Sequence, residues 1–327
     1  MFYLGIDVAK AKLDCCLLIQ PELLKRRNKT VANTSAGFAE LVAWLVRQGA
    51  PAAEVHAVME GTGVYHERAA TSLYELGLTI SIVNPAHARD FARGLAIQTK
   101  TDGIDSLVLA RFGFLVRPPA WLPPPPEARH LQALLSRREA LAQDLQRERN
   151  RQEKAQVTEV PAVVQRSIDE AIRFLEQQLR QLQQDINDHI DRHPGLKADL
   201  QLLQSIPAVG PQVGSHLLAV MTTRHFASAE QLAAYLGLVP VERQSGTSLH
   251  GRARLSKAGP ARIRAVLYMA AVVATRYNPH VHALYERLLR QGKPKMSALG
   301  AAMRKLVHLC FGVLKTRRAY QPDYAGT

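Results

Sequence analysis

The sequence predicts an α/β domain, then a long helical hairpin, then a basic and mainly helical region. Three observations predict this order. Short apolar runs alternate with helical patterns over residues 1–117. Residues 127–192 contain no glycine and a single proline, and their apolar residues recur at steps of three and four. Between these regions, the proline-rich residues 118–126 favour an extended, semi-rigid connector.

The first region has the pattern of a mixed sheet. Its strands are predicted from the apolar runs FYLGIDVA, LDCCLLI, KTVANT, VHAVME and LTISIVNP. Helical spacing is present in SAGFAELVAWLVRQG and GVYHERAATSLYELG, and a further helix is predicted from Ile104 to about Val116. Three opening strands followed by alternating helix and strand indicate an α/β domain that contains both antiparallel and parallel pairs.

The second region predicts two helices in an antiparallel hairpin, with a turn near TEVP. Its stronger seam is formed by Val164, Ile168, Ile172, Leu175, Leu179, Leu182, Ile186 and Ile190. Such a hairpin acts as a spacer, a dimer contact or an RNA contact, and the sequence is compatible with all three. We expect the domain boundaries 1–117, 118–126, 127–194 and 195–327.

The third region opens with LLQSIPAVGPQVGSHLLAVM, a helix, a glycine-containing turn and a second helix. Two interpretations fit this spacing equally well. In a helix-hairpin-helix module, the turn offers backbone N–H groups to a phosphate. The other interpretation is a plain connection between two helices. Ala208 stands where a hairpin of the first kind often carries glycine.

Basic residues concentrate in one quarter of the chain. Residues 241–318 hold 16 Lys and Arg against two acids, and this excess equals the net charge of +14 of the whole sequence. A basic patch confined in this way is the electrostatic footprint of a polyanion site, which predicts nucleic acid as the partner. The alternative is a merely soluble cationic surface.

The remaining composition excludes several classes of protein. Neither an apolar run of transmembrane length nor a secretory leader is evident, so we expect a cytoplasmic chain with no membrane partner. Cys15, Cys16 and Cys310 cannot form a disulfide framework and lack the spacing of zinc ligands.

Four acidic residues are candidates for a metal site. Asp7 interrupts an apolar strand, where a charge is costly unless it is paired or bound to metal. Glu60 ends another strand, at the edge of an α/β sheet where ligands bind. Asp102 and Asp105 lie one helical turn apart and repel each other unless a cation lies between them. Carboxylates favour Mg²⁺ or Mn²⁺ over zinc. The alternative is that Asp102 merely caps its helix and Asp105 faces solvent.

The segment RQSGTSLHGRARLSKAG combines hydroxyl, glycine and basic residues, which is typical of a phosphate-binding loop. Its spacing alone does not distinguish a nucleophilic serine from hydroxyls that donate hydrogen bonds to phosphate. The basic residues that we expect to contact nucleic acid, within this loop and just after it, are Arg243, Arg252, Arg254, Lys257, Arg262 and Arg264.

Several segments together resemble a known family. GIDVAKAKLD, MEGTGVY, NPAHARDFA and KTDGIDSLVLA are similar to its N-terminal catalytic domain, and LQSIPAVGPQVGSHLL, FASAEQLAAYLGLVP, SGTSLHGRARLSKAGPARIRAVLYMAA and AAMRKLVHLCFGVLK to its C-terminal domain. The family is that of the DEDD-type insertion-sequence transposases, which are related to Piv-type invertases and described as bridge-RNA-guided recombinases. Ser106, Ala208 and Pro260 depart from its common pattern, but none removes a group that the chemistry needs.

The resemblance implies an RNase-H-like (Holliday-junction-resolvase-like) N-terminal fold whose metal-binding acids are Asp7, Glu60, Asp102 and Asp105. It also implies that Ser245 is the nucleophile that attacks DNA. The resemblance further implies a homotetramer assembled on a structured non-coding RNA, which pairs with target and donor DNA. In such a tetramer, the acids of one subunit meet the serine loop of another. A bacterial, nucleoid-associated protein is expected on this basis.

Two other functions share part of this pattern. A metal-dependent junction resolvase or nuclease of the same fold would use the four acids without Ser245, and would form no covalent link to DNA. A sugar- or acetate-kinase-like phosphotransferase also carries an aspartate on its first strand. That class needs a loop rich in glycine, serine and threonine after the strand, and IDVAKAKLD has none.

Overall fold

The structure, a computed structural model, describes residues 1–61, 63, 65–97, 101–241, 244–245, 249–250 and 254–322, with the backbone alone at 244–245 and 249–250. The chain divides into two compact units, Met1–Pro123 and Pro124–Thr327. The division falls inside the proline-rich connector, and each unit has hydrophobic core residues of its own.

A five-stranded mixed sheet forms the centre of the first unit. Its strands are β1 (Phe2–Val8), β2 (Lys12–Gln20), β3 (Lys25–Ala32), β4 (Val55–Glu60) and β5 (Thr79–Val83). They lie in the order β3-β2-β1-β4-β5. Strand β2 is antiparallel to both neighbours, whereas β1, β4 and β5 are parallel. The order and directions confirm the expected α/β fold of the RNase-H-like kind.

Helices cover both faces of this sheet. They are α1 (Ser35–Arg47), α2 (Tyr65–Glu75), α3 (Pro85–Gly94) and α4 (Asp102–Val116). On β1, Leu4 and Ile6 share a core with α1 and α2, while Tyr3 packs with α4 on the opposite face. Helix α3 was missed by the sequence pattern, although Asn84 caps it by accepting a hydrogen bond from the amide of Ala86. Its apolar residues are too few to give a clear helical stripe.

Helix α4 lies directly against β1 because Gly5 has no side chain. A Cβ atom at this position would overlap the main-chain carbonyl of Ser106 and the amide nitrogen of Ala110. Farther along the helix, Gly113 makes a second close approach, to the side chain of Val58 on β4. The two glycines therefore fix how deeply α4 is seated on the sheet.

The start of the connector packs on the first unit. The amide of Trp121 donates to the carbonyl of Ile80 at 2.6 Å, and the hydroxyl of Ser81 donates to the carbonyl of Pro119 at 2.7 Å. These bonds hold an extended segment against β5, as the proline content predicted.

The second unit is mainly helical. Its helices are α5 (Pro126–Val157), α6 (Ala162–Arg192), α7 (Pro194–Gln204), α8 (Pro211–Thr223), α9 (Ala229–Tyr235), α10 (Ala261–Tyr277), α11 (Pro279–Arg290) and α12 (Lys295–Thr316). Its core is built mainly by α7 to α10 and α12, together with the ends of α5 and α6 that lie away from their shared turn.

Helices α5 and α6 form the predicted hairpin. Arg149 pairs with Glu176 at 2.9 Å, and the amide of Gln152 donates to Asp169 at 2.7 Å, so later residues of α5 meet earlier residues of α6. Only part of the predicted seam is buried: Ile172, Ile186 and Ile190 are enclosed, but Val164 is 43% exposed. Val164 lies in the first turn of α6, away from the core of the second unit.

The turn between α7 and α8 places Ala208 at a φ of 79°. This is the left-handed region, where a Cβ atom costs about 1 kcal/mol. The backbone thus has the conformation that the glycine common at this position would adopt without strain. Both interpretations of the turn, a phosphate-binding hairpin and a plain connection, are compatible with this geometry.

Helix α12 is long and apolar enough to cross a membrane by length and composition, contrary to the expectation that no segment has that length. Half of its most apolar window is buried, and Leu306, Val307 and Cys310 are fully enclosed. We therefore interpret α12 as a core helix of the second unit.

Short strands flank the serine-containing loop. Strand β6 (Pro240–Val241) pairs with β9 (Arg254–Leu255), and β7 (Gln244–Ser245) pairs with β8 (Leu249–His250). Both pairs are antiparallel, so one hairpin is nested inside the other.

Replacing Gly5 with alanine should destabilise the first unit by about 3 kcal/mol, because overpacking against backbone atoms cannot be relieved by a side-chain rotation. The matched control is Gly103→Ala, in α4 itself, where a Cβ atom meets nothing within 4 Å. That change should leave stability unchanged or raise it by up to about 1 kcal/mol. Urea unfolding followed by circular dichroism measures both. Equal effects of the two substitutions would contradict the close-packing argument.

Candidate active site

Asp7 lies on the face of β1 that α4 covers, two residues after Gly5, and it is partly buried. Burial, together with the carboxylates of Asp105, Asp102, Asp14 and Glu60, raises the pKa of its carboxyl group from 3.8 to about 6. The first unit thus places several carboxylates near Asp7 on strand β1. Their mutual repulsion is costly unless a cation lies among them.

Strand register explains why two of these carboxylates are near Asp7. Asp14 on β2 is the direct cross-strand partner of Asp7, so both side chains project from the same face. On the other side, β1 and β4 are parallel with Ile6 opposite Met59, and Glu60 is the next residue along. The predicted strand positions of Asp7 and Glu60 therefore place them at one edge of the sheet.

Asp102 and Asp105 lie in the first turn of α4. The hydroxyl of Thr101 accepts a hydrogen bond from the amide of Ile104 and is the N-cap. The N-cap residue is therefore Thr101 and not Asp102. Asp105 directly precedes Ser106, whose carbonyl meets Gly5, so the seating of α4 on β1 brings Asp105 toward Asp7.

Lys12 connects the β1–β2 hairpin to the start of α4. Its ammonium lies 2.6 Å from Oδ2 of Asp102 and 2.9 Å from Oδ2 of Asp14. Its hydrogen bond and charge lower the pKa of Asp102, and the two carboxylates raise the pKa of Lys12. The hydroxyl of Thr30 donates to the other oxygen of Asp14 at 2.7 Å, so both oxygens of Asp14 have partners.

Sequence reasoning missed Asp14 and Lys12. Asp14 lies in the predicted strand LDCCLLI and Lys12 directly before it, but their proximity to the site depends on the register of the hairpin. The available signal was the alternation in KLDCCLLI, which places Lys12 and Asp14 on one face.

The donor chemistry fits a hard divalent cation. Asp7, Glu60, Asp102 and Asp105 all offer carboxylate oxygens, and burial and the other three carboxylates each raise the pKa of Asp7. Among the described residues, no three acidic, histidine or cysteine side chains are already gathered into a complete ligand set. Asp102 instead contacts the ammonium of Lys12. The residues thus suit Mg²⁺ or Mn²⁺ chemically.

The candidate nucleophile lies on the inner of the two nested hairpins. The backbone of Ser245 is in β7, paired with Leu249 of β8. Among the predicted nucleic-acid contacts, Arg254 and Lys257 are exposed next to this hairpin, whereas Arg243 and Arg252 lie outside the described residues.

Two further predicted contacts, Arg262 and Arg264, have partners within the second unit. Arg262 pairs with Glu139 of α5 at 2.9 Å. Arg264 donates to the carbonyls of Ala258 at 2.6 Å and Gly259 at 3.1 Å. These bonds fasten the end of the serine loop to α10 and α5, a structural role that sequence reasoning did not separate from phosphate contact.

Comparison with known families covers most of the chain. A DEDD-type IS110 model, described as a transposase, matches residues 4–159, and a model described as transposase IS116/IS110/IS902 family matches residues 200–286. The first match contains all four predicted acids, and the second contains Ser245.

Individual relatives agree with these matches. The chain is 34% identical over 321 residues to a pilin gene-inverting protein of Moraxella lacunata, covering 97% of both chains. It is 27% identical over 160 residues to an uncharacterized 43.6 kDa protein of insertion element IS110 from Streptomyces coelicolor, covering 49% of this chain and 38% of that one. A solved structure, T. thermophilus RuvC in complex with Holliday junction substrate, matches with 13% identity and a TM-score of 0.27, covering 36% of this chain and 96% of that one.

The mixed α/β sheet, its acidic edge and the two family matches define an enzyme of DNA recombination, which binds DNA as its substrate. The chain belongs to the transposase IS116/IS110/IS902 family, with a DEDD-type N-terminal domain.

The raised pKa of Asp7 predicts a pH dependence in metal-free protein. Between pH 4 and 6 the folded state holds a proton that the unfolded state has released, so stability falls as pH rises through about 6. The shift corresponds to at most about 3 kcal/mol, less solvent screening because Asp7 is partly exposed. Asp7→Asn removes this loss and should be more stable than wild type at pH 7.5.

Urea unfolding at several pH values with a chelator present provides the measurement. The stability gap between Asp7→Asn and wild type should widen from pH 4 to pH 7. Asp90→Asn, an exposed acid on α3, is the control and should follow the wild-type curve. Parallel pH curves for wild type and Asp7→Asn would show that the carboxyl group of Asp7 is not perturbed.

Proposed function

We propose that this transposase cleaves and rejoins DNA with a serine nucleophile and an acidic Mg²⁺ site, at positions chosen by a structured guide RNA. The observation that carries the proposal is the group of carboxylates around Asp7, built on one sheet edge and one helix terminus. Family membership supplies the reaction class, and the basic quarter of the sequence supplies a surface for nucleic acid.

The four acids share one proposed role. Asp7, Glu60, Asp102 and Asp105 would hold Mg²⁺, or Mn²⁺ in its place. The ion would lower the barrier by stabilising charge on the attacking and leaving oxygens of a phosphodiester. The protein's own contribution is position: β1 and β4 hold Asp7 and Glu60 in fixed register, and the seated α4 presents Asp105. A rigid support of this kind suits groups that must be placed accurately.

Ser245 is the proposed nucleophile. As its oxygen forms a bond to phosphorus, the bond from phosphorus to one sugar oxygen breaks and that oxygen takes a proton. The resulting phosphoserine ester conserves the bond energy for rejoining. Exposed Arg254 and Lys257, together with Arg243 and Arg252, would hold the phosphates near the serine. Arg262 and Arg264 would support the loop and reach phosphate only at its margin.

The proposed assembly contains target DNA, donor DNA, a structured non-coding RNA and a homotetramer of this chain in the bacterial cytoplasm, near the nucleoid. Residues 1–117 form the catalytic domain, 118–126 the linker, 127–194 the helical hairpin and 195–327 the serine-loop domain. Exposed apolar side chains near the turn of the hairpin, Val157, Val163, Val164 and Phe174, support a role in contacting another molecule.

The deciding experiment looks for a covalent protein–DNA species. Purified protein, RNA transcribed from the flanks of its element and a target–donor DNA pair are incubated with Mg²⁺ and then denatured. A covalent adduct should form with wild type and with Ser248→Ala, and should disappear with Ser245→Ala. Cleaved DNA without attached protein would favour a metal-dependent resolvase of the same fold. An adduct that survives Ser245→Ala would assign the nucleophile elsewhere.

The acidic site makes a separate prediction. Asp105→Asn should reduce cleavage by at least about 100-fold, because it removes a charge that stabilises the transition state. Nucleic-acid affinity, measured by gel shift, should stay within about three-fold of wild type, since binding depends mainly on basic residues. Asp90→Asn, the exposed acid on α3, should cleave normally. A cleavage rate close to wild type for Asp105→Asn would remove that residue from the catalytic site.

A further inference from the structure

Lys12 contacts two carboxylates of the acidic site, which the amino-acid sequence did not indicate. It begins β2, and the tight turn before it is closed by a hydrogen bond from the amide of Ala9 to the carbonyl of Lys12 at 3.0 Å. From there its ammonium reaches Asp14 at 2.9 Å on the same strand and Asp102 at 2.6 Å on α4. A monovalent cation of the protein's own is therefore bound to one of the four proposed metal ligands.

The pair between Lys12 and Asp102 is poorly suited to be a permanent strut. The side chains are 45% and 58% exposed, and ion pairs in contact with water add little net stability. The ammonium is carried on a flexible four-carbon stem. Neither the cap of α4, which Thr101 provides, nor the seating of α4, which Gly5 permits, needs this pair.

The charge around Asp7 explains why a cation is needed before metal arrives. Four carboxylates act on Asp7, and two of them, Asp102 and Asp14, are the partners of Lys12. Neutralising these two reduces the repulsion that the folded protein would otherwise carry. A divalent ion performs the same neutralisation, so Lys12 and the ion are alternatives at Asp102.

We propose that Lys12 is a placeholder cation, which occupies Asp102 in the metal-free protein and must release it when a divalent ion binds. The inference rests on the proposed acidic metal site. Its consequence is that the free protein binds the ion weakly. DNA phosphate offers Lys12 another anionic partner, so binding of substrate and binding of the ion assist each other.

The test measures Mn²⁺ binding to the full-length protein without nucleic acid, by isothermal titration calorimetry. Lys12→Met removes the competing charge and keeps most of the side-chain volume, so it should bind Mn²⁺ about five-fold more tightly than wild type. Lys12→Arg keeps the charge and should remain near wild type. The control Lys10→Met removes an exposed charge from the same hairpin and should change the affinity less than two-fold.

Melting temperature separates the placeholder from a strut. For a placeholder, Lys12→Met should melt lower than wild type without metal and gain more from saturating Mn²⁺. A strut would lower both melting temperatures equally and leave Mn²⁺ affinity unchanged or weaker, which would overturn the proposal. If Lys12→Met does not fold, a crystal structure of the Mn²⁺-loaded wild type decides: the ammonium should lie beyond 4 Å from Asp102, and a persistent pair refutes the idea.

The proposed metal site is tested independently by Asp7→Asn. If wild type binds Mn²⁺ saturably and Asp7→Asn does not, the site stands whatever Lys12→Met shows. In that case, unchanged affinity in Lys12→Met refutes the placeholder alone. If neither wild type nor Lys12→Met shows saturable Mn²⁺ binding that depends on Asp7, the metal site and the placeholder are both refuted.

Discussion

The contact between Gly5 and helix α4 is the constraint on which the acidic site depends. Without a Cβ atom on β1, the main chain of Ser106 lies against the strand two residues before Asp7. Asp105 precedes Ser106 directly, so this backbone packing fixes where its main chain lies relative to β1. Carboxylates that repel each other would otherwise separate into solvent, and close-packed backbone resists that separation.

The fold therefore holds carboxylates close together although they repel one another. Asp7 loses hydration and faces neighbouring carboxylates, so its pKa rises to about 6. A buried ion pair would relieve this repulsion but would also fix the acids in an unproductive arrangement. The relieving cation that the structure shows, Lys12, is instead half-exposed at the rim of the site. Such a cation reduces the repulsion among the carboxylates without being enclosed with them.

Strand identity and helix existence could be predicted from the sequence because they are local properties. VHAVME forms β4 as predicted, and the turn at TEVP separates α5 from α6. Asp7 stood out because a lone charge in an apolar strand has few structural explanations. Lys12 and Asp14 did not stand out, because their importance follows from a cross-strand register and from the approach of a helix ninety residues later.

The basic region also shows that sequence locates residues better than it predicts their contacts. Composition located the positive charge correctly but could not separate Arg254, which is exposed, from Arg264, whose donors are used by main-chain carbonyls. Both residues lie in one short, arginine-rich segment, and only the backbone of the loop that ends at Gly259 distinguishes them. Arg262 likewise meets Glu139, a residue 123 positions away in sequence.

The acidic edge of the sheet and the basic quarter of the chain carry opposite charges, and the proposed reaction needs both. DNA is a polyanion, so carboxylates alone would repel it, and the attraction has to come from elsewhere in the protein. The excess of +14 in residues 241–318 is the proposed source of that attraction, since the rest of the chain is close to neutral. Monovalent salt should therefore govern affinity through the basic region, whereas divalent ions should govern chemistry through the acids. The two kinds of charge lie in different parts of the chain, so substitutions can change one while leaving the residues of the other in place.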